Sequence, residues 1–269
     1  MSLFETIVLA VVQGITEFLP ISSSGHLVLL ENFLDLPVED LKSFDVAVHV
    51  GTLLSILAYF WRDLFVLIRG IFVAIKGKNS DECLFGVKPL WFLWFLIIGT
   101  VPAVIVGLGF ENQIDGFFRD GKNVAYSFMA SGLFFIVAEL IAKNLKNRGL
   151  NGFRAFFVGV FQAVAIIPGI SRSGSTIGAG LTAGLTRDEA ARFSFLLGIP
   201  ALMGAGLLTV IKFDASAGVL SWQNYTIGLI LSFISGYVSI YILMSFLKKH
   251  SLAWFSVYLL PLGIYLLFG

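Results

Sequence analysis

Runs of about twenty apolar residues recur along this 269-residue chain, and they restrict it to folds that a membrane can hold. Hydrophobic residues make up 57% of the sequence and charged residues 13%, and the mean hydropathy of +0.90 lies outside the range of soluble domains. The sequence therefore predicts an all-α polytopic membrane protein that forms a single domain. The predicted transmembrane helices, six in all, are 44–61, 89–110, 123–142, 190–211, 223–247 and 253–268, while the shorter run 64–75 is predicted to lie at the membrane surface.

The charges exclude one class of partner and orient the chain. A net charge of +1 provides no concentrated basic face, so a nucleic-acid partner is not expected. The lysines and arginines are nevertheless distributed unevenly, with clusters in the loops 62–88 and 143–154. By the positive-inside rule these loops are predicted to face the cytoplasm.

The stretch Pro168–Thr176 interrupts the apolar pattern with residues that break a helix and bind anions. Its proline lacks an amide hydrogen and its first glycine loses much backbone entropy on ordering, so the preceding helix should end there. Ser171 and Ser173 are predicted N-caps for a new helix that starts near Gly174. Arg172 adds a guanidinium to the free amides of that helix start, which is the composition of an oxyanion site. In lipid, such a break must be buried in protein or line a wet cavity.

A similar break lies 149 residues earlier, where Pro20 ends a helix predicted over 3–19 and a short returning helix is predicted over 24–34. We therefore predict two structural repeats, about 1–148 and 149–269, each with one re-entrant helix hairpin. Matched breaks of this kind are typical of repeat-built membrane folds, where they mark the binding site. With the predicted orientation the repeats are inverted, and their hairpins meet at a central site. The residues that match at this offset are Gln13 with Gln162, Ile21 with Ile170, Ser22 with Ser171, Ser24 with Ser173, Gly25 with Gly174 and Phe44 with Phe193.

Charged residues inside these breaks require a partner or a wet cavity. Arg172 is either a phosphate clamp between helix-start serines or the partner of a buried carboxylate. Glu17, with Gln13 one turn before it, either holds a divalent ion that shares its oxygen ligands with a diphosphate or pairs with Arg172, and the two roles are compatible. Asp45 and His49, four residues apart, either support the site or mark the membrane boundary.

The remaining polar residues of the first break are candidates for the chemistry itself. His26 is a candidate proton donor, base or nucleophile toward phosphorus, and the alternative is a hydrogen-bonded structural histidine. Ser22, Ser23 and Ser24 are candidate caps or phosphate ligands. Ser23, which aligns with Arg172, is also a candidate nucleophile.

These motifs resemble those of the bacterial undecaprenyl-diphosphatase family, also called the bacitracin resistance protein family. The stretch Gln13–His26 resembles the first family motif and Pro168–Thr176 the second. The stretches Phe44–Gly51, Phe60–Arg62 and Phe193–Leu197 match the family pattern in the same order. The resemblance covers essentially the whole chain, and two long motifs at the right separation are highly specific.

The resemblance implies a membrane enzyme that hydrolyses undecaprenyl diphosphate to undecaprenyl phosphate and inorganic phosphate. This activity recycles the lipid carrier of peptidoglycan and other cell-envelope synthesis and confers bacitracin resistance. The resemblance also implies dependence on Mg²⁺ or Ca²⁺ and a site open to the outer, periplasmic face of the bacterial cytoplasmic (inner) membrane. By matched position, the resemblance implies Glu17 and His26 as the catalytic pair, Ser23 as a nucleophile or phosphate ligand, and Arg172 as the phosphate clamp with Ser171, Ser173 and Thr176. The whole predicted site has catalytic residues Glu17, Ser23, His26 and Arg172, substrate-binding residues Ser22, Ser24, Gly169, Ser171, Ser173, Gly174 and Thr176, and metal ligands Glu17 and Gln13. Many family members carry glutamate at the position of Gln13, a departure that shifts metal binding toward Glu17.

A carrier is the competing class, as either a polyprenyl-phosphate flippase or an anion carrier, because inverted repeats with broken helices also build transporters. Anion transport would need Arg172 but no nucleophile, so the cluster of Glu17, Ser23 and His26 favours the hydrolase. The sequence does not choose among His26, Ser23 and water as the nucleophile. Apolar outer surfaces suit membrane lipid and are equally compatible with a homodimer.

Overall fold

A computed structural model of the chain describes residues 1–34, 36, 38–77, 82–118, 121–211 and 220–268, and this part of the chain contains helices and no β-strand. The helices in chain order are α1 (Leu3–Phe18), α2 (Ser23–Phe33), α3 (Val38–Tyr59), α4 (Trp61–Ile75), α5 (Pro89–Phe118), α6 (Gly121–Ala142), α7 (Gly152–Val164), α8 (Arg172–Thr182), α9 (Arg187–Ile211), α10 (Trp222–Leu247) and α11 (Ser256–Phe268), with a 3₁₀ turn at Leu252–Phe255 before α11.

Four of these helices are long and apolar enough to cross a membrane, namely Pro89–Phe110 of α5, α6, Arg187–Leu207 of α9 and α10. The chain is thus built as a polytopic membrane protein, and the predicted spans 89–110, 123–142, 190–211 and 223–247 are confirmed in place and type. The outer face of α5 shows why such helices need lipid. Trp91, Trp94 and Ile105 project from it with more than half of their surface exposed.

The other two predicted spans are shorter helical pieces in the part of the chain that the structure describes. The apolar part of α3 ends at Tyr59 and α4 begins at Trp61, so the run 44–61 does not continue as one helix. The run 253–268 opens in the 3₁₀ turn, which leaves 13 residues for α11. At 1.5 Å per residue α11 is about 20 Å long, shorter than the hydrocarbon core of a bilayer.

The predicted helix breaks follow from local chemistry. Ser2 caps α1 through a reciprocal capping box, in which its hydroxyl accepts from the amide of Glu5 and its own amide donates to the Glu5 carboxylate. At the other end Leu19 is extended, because the following Pro20 disfavours helical backbone in the residue before it. Gly169 has φ +88, a conformation that glycine adopts at low cost, between α7 and α8.

Corresponding helices in the two halves begin 149 residues apart. The starts are Leu3 and Gly152 for α1 and α7, Ser23 and Arg172 for α2 and α8, and Val38 and Arg187 for α3 and α9. The new helix after the second break begins at Arg172, two residues before the predicted start. Ser171 is therefore its N-cap, whereas Ser173 lies within its first turn.

The first helix of each half packs against a long helix of the other half. In one contact α1 and α3 pack on α10, and in the other α7 packs on α5. Small residues permit both approaches, since a Cβ at Gly14 would lie 2.7 Å from the carbonyl oxygen of Ser232 and one at Gly159 would lie 2.2 Å from that of Gly99. Helix α8 is enclosed by α6, α7 and α9. This packing brings the two breaks together in the interior.

Candidate active site

The start of α2 and the start of α8 are built in the same way. The hydroxyl oxygen of Ser22 accepts from the amide of Gly25 at 3.4 Å, and that of Ser171 accepts from the amide of Gly174 at 3.1 Å. In each case the capping hydroxyl also contacts the serine two residues later. Ser22 has φ +71, a conformation that costs a non-glycine residue about 1–3 kcal/mol. The fold therefore holds the first helix start in a conformation that its own sequence does not favour.

The two breaks interlock. A Cβ on Gly25 would lie 3.0 Å from the Cα atom of Gly169, and one on Gly174 would lie 3.0 Å from the Cβ atom of Pro20. The hydroxyl of Ser173 donates to the carbonyl of Leu19 at 3.3 Å. Backbone segments some 150 residues apart in sequence thus touch directly, so the position of one helix start fixes that of the other.

A buried ion pair joins the two halves at this junction. The Nη2 atom of Arg172 donates to Oε1 of Glu17 at 2.7 Å, and the side chains are 15% and 6% exposed respectively. The other carboxylate oxygen, Oε2, accepts from the hydroxyl of Ser23 at 2.6 Å and from the amide of Gln13 at 3.2 Å. The predicted pairing of Glu17 with Arg172 is confirmed. It leaves Nη1 of Arg172 buried and without a hydrogen-bond partner in the described part of the chain.

Gly198 on α9 makes room for this guanidinium. A Cβ at Gly198 would lie 2.0 Å from Nη1 and 2.9 Å from Cζ of Arg172. Any larger residue at this position would compete with the guanidinium for the same space. The location of Arg172 therefore depends on a glycine that belongs to neither break.

A cavity of about 570 Å³ opens beside the ion pair. An apolar groove of about 540 Å³ between α4, α5 and α9 lies next to it, and Thr100, Val104 and Pro200 line both spaces. Polar and apolar compartments are thus adjacent. The polar side chains that line the cavity are Thr16, Glu17, Ser22, Ser23, Ser24, His49, Thr100, Gln162, Ser171 and Arg172.

His26 faces away from this cavity. Its Nδ1 atom lies 2.8 Å from the carbonyl oxygen of Ser22 and its Nε2 atom lies 2.8 Å from the hydroxyl of Tyr258 on α11. The imidazole also stacks on the Tyr258 ring, with centroids 5.7 Å apart and planes at 13°, and lies against Phe128. Both ring nitrogens therefore have a hydrogen-bond partner, and the histidine holds the backbone carbonyl of Ser22 on the side opposite the cavity.

His49 lies on the cavity side. Its Nδ1 atom contacts the backbone carbonyl of Asp45 at 2.7 Å, one helical turn earlier on α3. That contact orients the ring toward the cavity, where His49 is a lining residue. Of the two alternatives for this residue, support of the site agrees with its position.

Several residues of the second motif support the site from outside the cavity. The hydroxyl of Thr176 donates to the backbone carbonyls of Arg172 and Ser173 in its own helix. It also contacts the hydroxyl of Ser194 on α9. Gly169 is buried against α6, where a Cβ would lie 2.6 Å from the Cβ atom of Ser127. These residues, with Ser173 and Gly174, hold the second helix start in place.

The family model of the bacitracin resistance protein BacA matches residues 6–265. This chain belongs to the BacA family. Three curated relatives show how closely it is matched. Undecaprenyl-diphosphatase 1 of Pseudoalteromonas translucida (strain TAC 125) is 39% identical over 266 residues, which are 98% of this chain and 97% of the relative. Undecaprenyl-diphosphatase of Methanosphaera stadtmanae is 39% identical over 273 residues, 98% of this chain and 96% of the relative. Undecaprenyl-diphosphatase of Teredinibacter turnerae is 40% identical over 269 residues, 99% of this chain and 98% of the relative.

Sequence reasoning missed two residues that shape the site of this BacA chain. Gly198 has no reactive side chain. The only sequence feature that could have pointed to it is its position 149 residues after His49, where the second half has no side chain and leaves room for the Arg172 guanidinium. Tyr258 lies 232 residues from the histidine that it contacts. No local pattern marks such a contact.

The metal ligands expected for this BacA chain form a small set. Among the described residues no group of three or more histidine, cysteine, aspartate and glutamate side chains could hold an ion. Glu17 supplies one carboxylate, and Oε1 of Gln13 is buried without a hydrogen-bond partner. Mg²⁺ accepts such a sparse set when substrate phosphates and water supply its remaining ligands. Glu17 lines the cavity and can meet an ion that arrives with a diphosphate, whereas Gln13 is 0% exposed and is not among the lining residues.

Proposed function

We propose that this chain hydrolyses undecaprenyl diphosphate to undecaprenyl phosphate and inorganic phosphate, which returns the lipid carrier to cell-envelope synthesis and confers bacitracin resistance. One observation carries the proposal: the Ser23 hydroxyl and the Arg172 guanidinium each lie within 2.7 Å of the Glu17 carboxylate, in one cavity. The names of the full-length relatives support the substrate.

The two adjacent compartments suit an amphiphilic diphosphate. The polar cavity accepts the head group, and the apolar groove accepts the first isoprene units of the tail, because the shared lining residues Thr100, Val104 and Pro200 place the two spaces side by side. Groove side chains such as Ile97 and Val101 are 53% and 43% exposed, so the rest of the tail can remain in lipid. Apolar surface of the substrate then never has to enter water.

Positive potential in the cavity stabilises the phosphoryl group. The guanidinium of Arg172 supplies a charge that the Glu17 carboxylate offsets until it accepts the Ser23 proton, and the amino-terminal ends of α2 and α8 add the partial charges of their free amides. These groups are already in place before the substrate binds. Preorganised donors of this kind lower the barrier most when they match the charge of the transition state.

Ser23 is the nucleophile that the geometry favours. Its hydroxyl donates to Oε2 of Glu17 at 2.6 Å, the arrangement in which a carboxylate accepts the proton as the oxygen attacks. The new bond joins Oγ to the terminal phosphorus, and the bond from that phosphorus to the bridging oxygen breaks, releasing undecaprenyl phosphate. Water then cleaves the phosphoserine, Glu17 returns the proton to Oγ, and inorganic phosphate leaves. His26 acts in this scheme by holding the backbone of Ser22.

We propose that Mg²⁺ or Ca²⁺ binds at Glu17 and Gln13 together with the diphosphate. When bound, the ion would supply positive charge to the phosphate oxygens. The unpartnered Oε1 of Gln13, beside a carboxylate, supports this assignment.

The helix pattern also supports inverted repeats. Three pairs of helices start 149 residues apart, and the first helix of each half packs on a long helix of the other. We propose that α1 with α2, and α7 with α8, are re-entrant hairpins that enter the bacterial inner membrane from opposite sides, with the cavity open to the periplasmic face. The clusters of basic residues in 62–88 and 143–154 support a cytoplasmic location for those loops.

Phosphate release from undecaprenyl diphosphate by the detergent-purified protein tests the function. We expect release by the wild type, loss with EDTA and recovery with Mg²⁺ or Ca²⁺. Ser23→Ala, Glu17→Gln and Arg172→Lys should each lower kcat/KM by about 100-fold or more, equivalent to about 2.7 kcal/mol of barrier. A phosphoserine at Ser23, detected by mass spectrometry after rapid acid quench, would identify the nucleophile.

Glu139→Gln provides the matched control, because Glu139 is also a partly buried carboxylate paired with an arginine, Arg187, at 2.6 Å, but it lies outside the cavity. This variant should retain the wild-type rate per folded molecule. No phosphate release by folded wild type with either metal would refute the hydrolase proposal. Transfer of polyprenyl phosphate across vesicles by the same preparation would then favour the carrier.

A further inference from the structure

Gln162 on α7 is a buried polar side chain that the hydrolysis scheme does not use. It lines the cavity, yet it is only 2% exposed. Both its Nε2 and its Oε1 atoms lack a hydrogen-bond partner among the described residues. A buried amide without partners is unfavourable, so such a group points to a ligand that completes it.

The equivalent residue of the first half shows what is missing. Gln13 lies 149 residues earlier and donates its amide to Glu17 one turn further on. The residue one turn after Gln162 is Ile166, which offers no acceptor. The second half thus retains the amide and lacks the carboxylate, and the Gln162 donor is left for something that enters the cavity.

The contacts of α7 with α5 locate Gln162 along the cavity. Gly159 approaches Gly99 and Ile166 approaches Gly107, so the two helices run in the same direction. Gln162 therefore lies beside the middle of that α5 segment. Thr100 and Val104, which line both the cavity and the apolar groove, are in this segment. Gln162 therefore lies near the α5 residues that the cavity shares with the groove.

A diphosphate spanning this cavity has two phosphates in different surroundings. Ser23 and Glu17 define the end where the terminal phosphorus is attacked, and the groove defines the end where the tail leaves. The phosphate next to the tail needs hydrogen-bond donors of its own. Among the described residues, Nε2 of Gln162 is a donor without a partner on a side chain that lines the cavity.

We propose that Gln162 is a substrate-binding residue that donates to the lipid-linked phosphate and thereby sets which phosphorus faces Ser23. The inference rests on the proposed hydrolase function and adds a recognition site for the leaving group. It predicts a separation between two product ligands. Undecaprenyl phosphate carries the lipid-linked phosphate and contacts Gln162, whereas inorganic phosphate occupies the terminal position and does not.

Inhibition by the two products tests this assignment. The Gln162→Leu variant replaces the amide by an apolar side chain of similar size. In this variant we expect KM for undecaprenyl diphosphate and the inhibition constant of undecaprenyl phosphate to rise about 10-fold, because one hydrogen bond to a charged group is lost. The inhibition constant of inorganic phosphate should stay within about twofold of wild type, a difference below the energy of such a bond. Gln162→Glu, which keeps the shape and adds a negative charge, should raise the two affected constants further. Asn151→Ala is the control on the same helix, since it removes the α7 N-cap without touching the cavity.

Either of two results overturns the assignment: no change in the undecaprenyl phosphate constant, or an equal rise in the constants of both products. If the wild type releases no phosphate, calorimetric binding of undecaprenyl phosphate to wild type and Gln162→Leu still tests Gln162 separately from the hydrolase proposal. Equal affinities in that measurement would refute it. If Gln162→Leu does not fold, the comparison of wild type with Gln162→Glu carries the same test.

Discussion

Replacing Gly198 by alanine tests whether this glycine sets the position of the Arg172 guanidinium. The added Cβ would lie 2.0 Å from Nη1, whereas ordinary van der Waals contact begins at 3.4 Å. The guanidinium must therefore retreat by about 1.4 Å, the difference between these two distances. Its 2.7 Å hydrogen bond to Glu17 cannot survive a shift of that size without a compensating movement of the carboxylate.

The substitution is expected to affect both rate and stability. A displacement of about 1 Å in a catalytic group can cost about 100-fold in rate, or about 2.7 kcal/mol of barrier. The atom that must move is at the end of a flexible side chain, and alanine is favoured over glycine inside a helix by about 0.5–1 kcal/mol. We therefore expect Gly198→Ala to lower kcat/KM for undecaprenyl diphosphate about 100-fold, while the free energy of unfolding falls by no more than about 1.5–3 kcal/mol, the loss of one hydrogen bond between charged groups.

Gly206→Ala is the matched control, since it makes the same substitution on α9 at a glycine with no neighbouring atom within 4 Å of the added Cβ. Phosphate release and thermal unfolding of both variants in detergent complete the comparison. Gly206→Ala should keep the wild-type rate. If Gly198→Ala keeps activity within threefold of wild type, the argument that this glycine positions Arg172 is refuted. A large loss of stability would show that α9 moves, rather than the guanidinium.

Two further predictions address the fold and the groove. Arg187→Met removes two hydrogen bonds, of 2.6 and 2.7 Å, from the Glu139 carboxylate, which also accepts from the amide of Leu252, and should lower the free energy of unfolding by about 1–3 kcal/mol. Arg69→Met breaks the exposed ion pair with Glu82 and should lower the free energy of unfolding by less than about 1 kcal/mol. Equal shifts of the thermal unfolding midpoint in the two variants would contradict this difference. Ile97→Trp narrows the groove and should raise KM for undecaprenyl diphosphate roughly tenfold, through about 1–2 kcal/mol of lost apolar burial, with little effect on inorganic diphosphate, which has no tail. An equal effect on both substrates would exclude the groove as the tail site.

The helix boundaries around the two breaks could be predicted from sequence because their causes are local. Proline excludes helical backbone before it, and serine caps the next helix within three residues, so the ends near Pro20 and the cap at Ser171 follow from a few neighbouring residues. The spans 44–61 and 253–268 were predicted as single crossings because apolar composition alone does not reveal where a helix divides.

The site could be predicted as a list of residues more readily than as an arrangement. The pairing of Glu17 with Arg172 followed from the cost of leaving either charge alone in the membrane. The direction of His26 did not follow, because it depends on a tyrosine from the last helix. Gly198 was not predicted, since its contribution is the space that its missing side chain leaves for a distant arginine.

The interlocked breaks also constrain how the protein is made. Glu17 emerges from the ribosome 155 residues before Arg172, its counter-charge. Until the second half has been synthesised, the Glu17 carboxyl group does not have the Arg172 guanidinium beside it and must bind a proton or stay near water. We expect the nascent first half to wait at the membrane surface and to reach its final depth only when the later helices insert. Completion of the chain is then also the moment at which the phosphatase first becomes active.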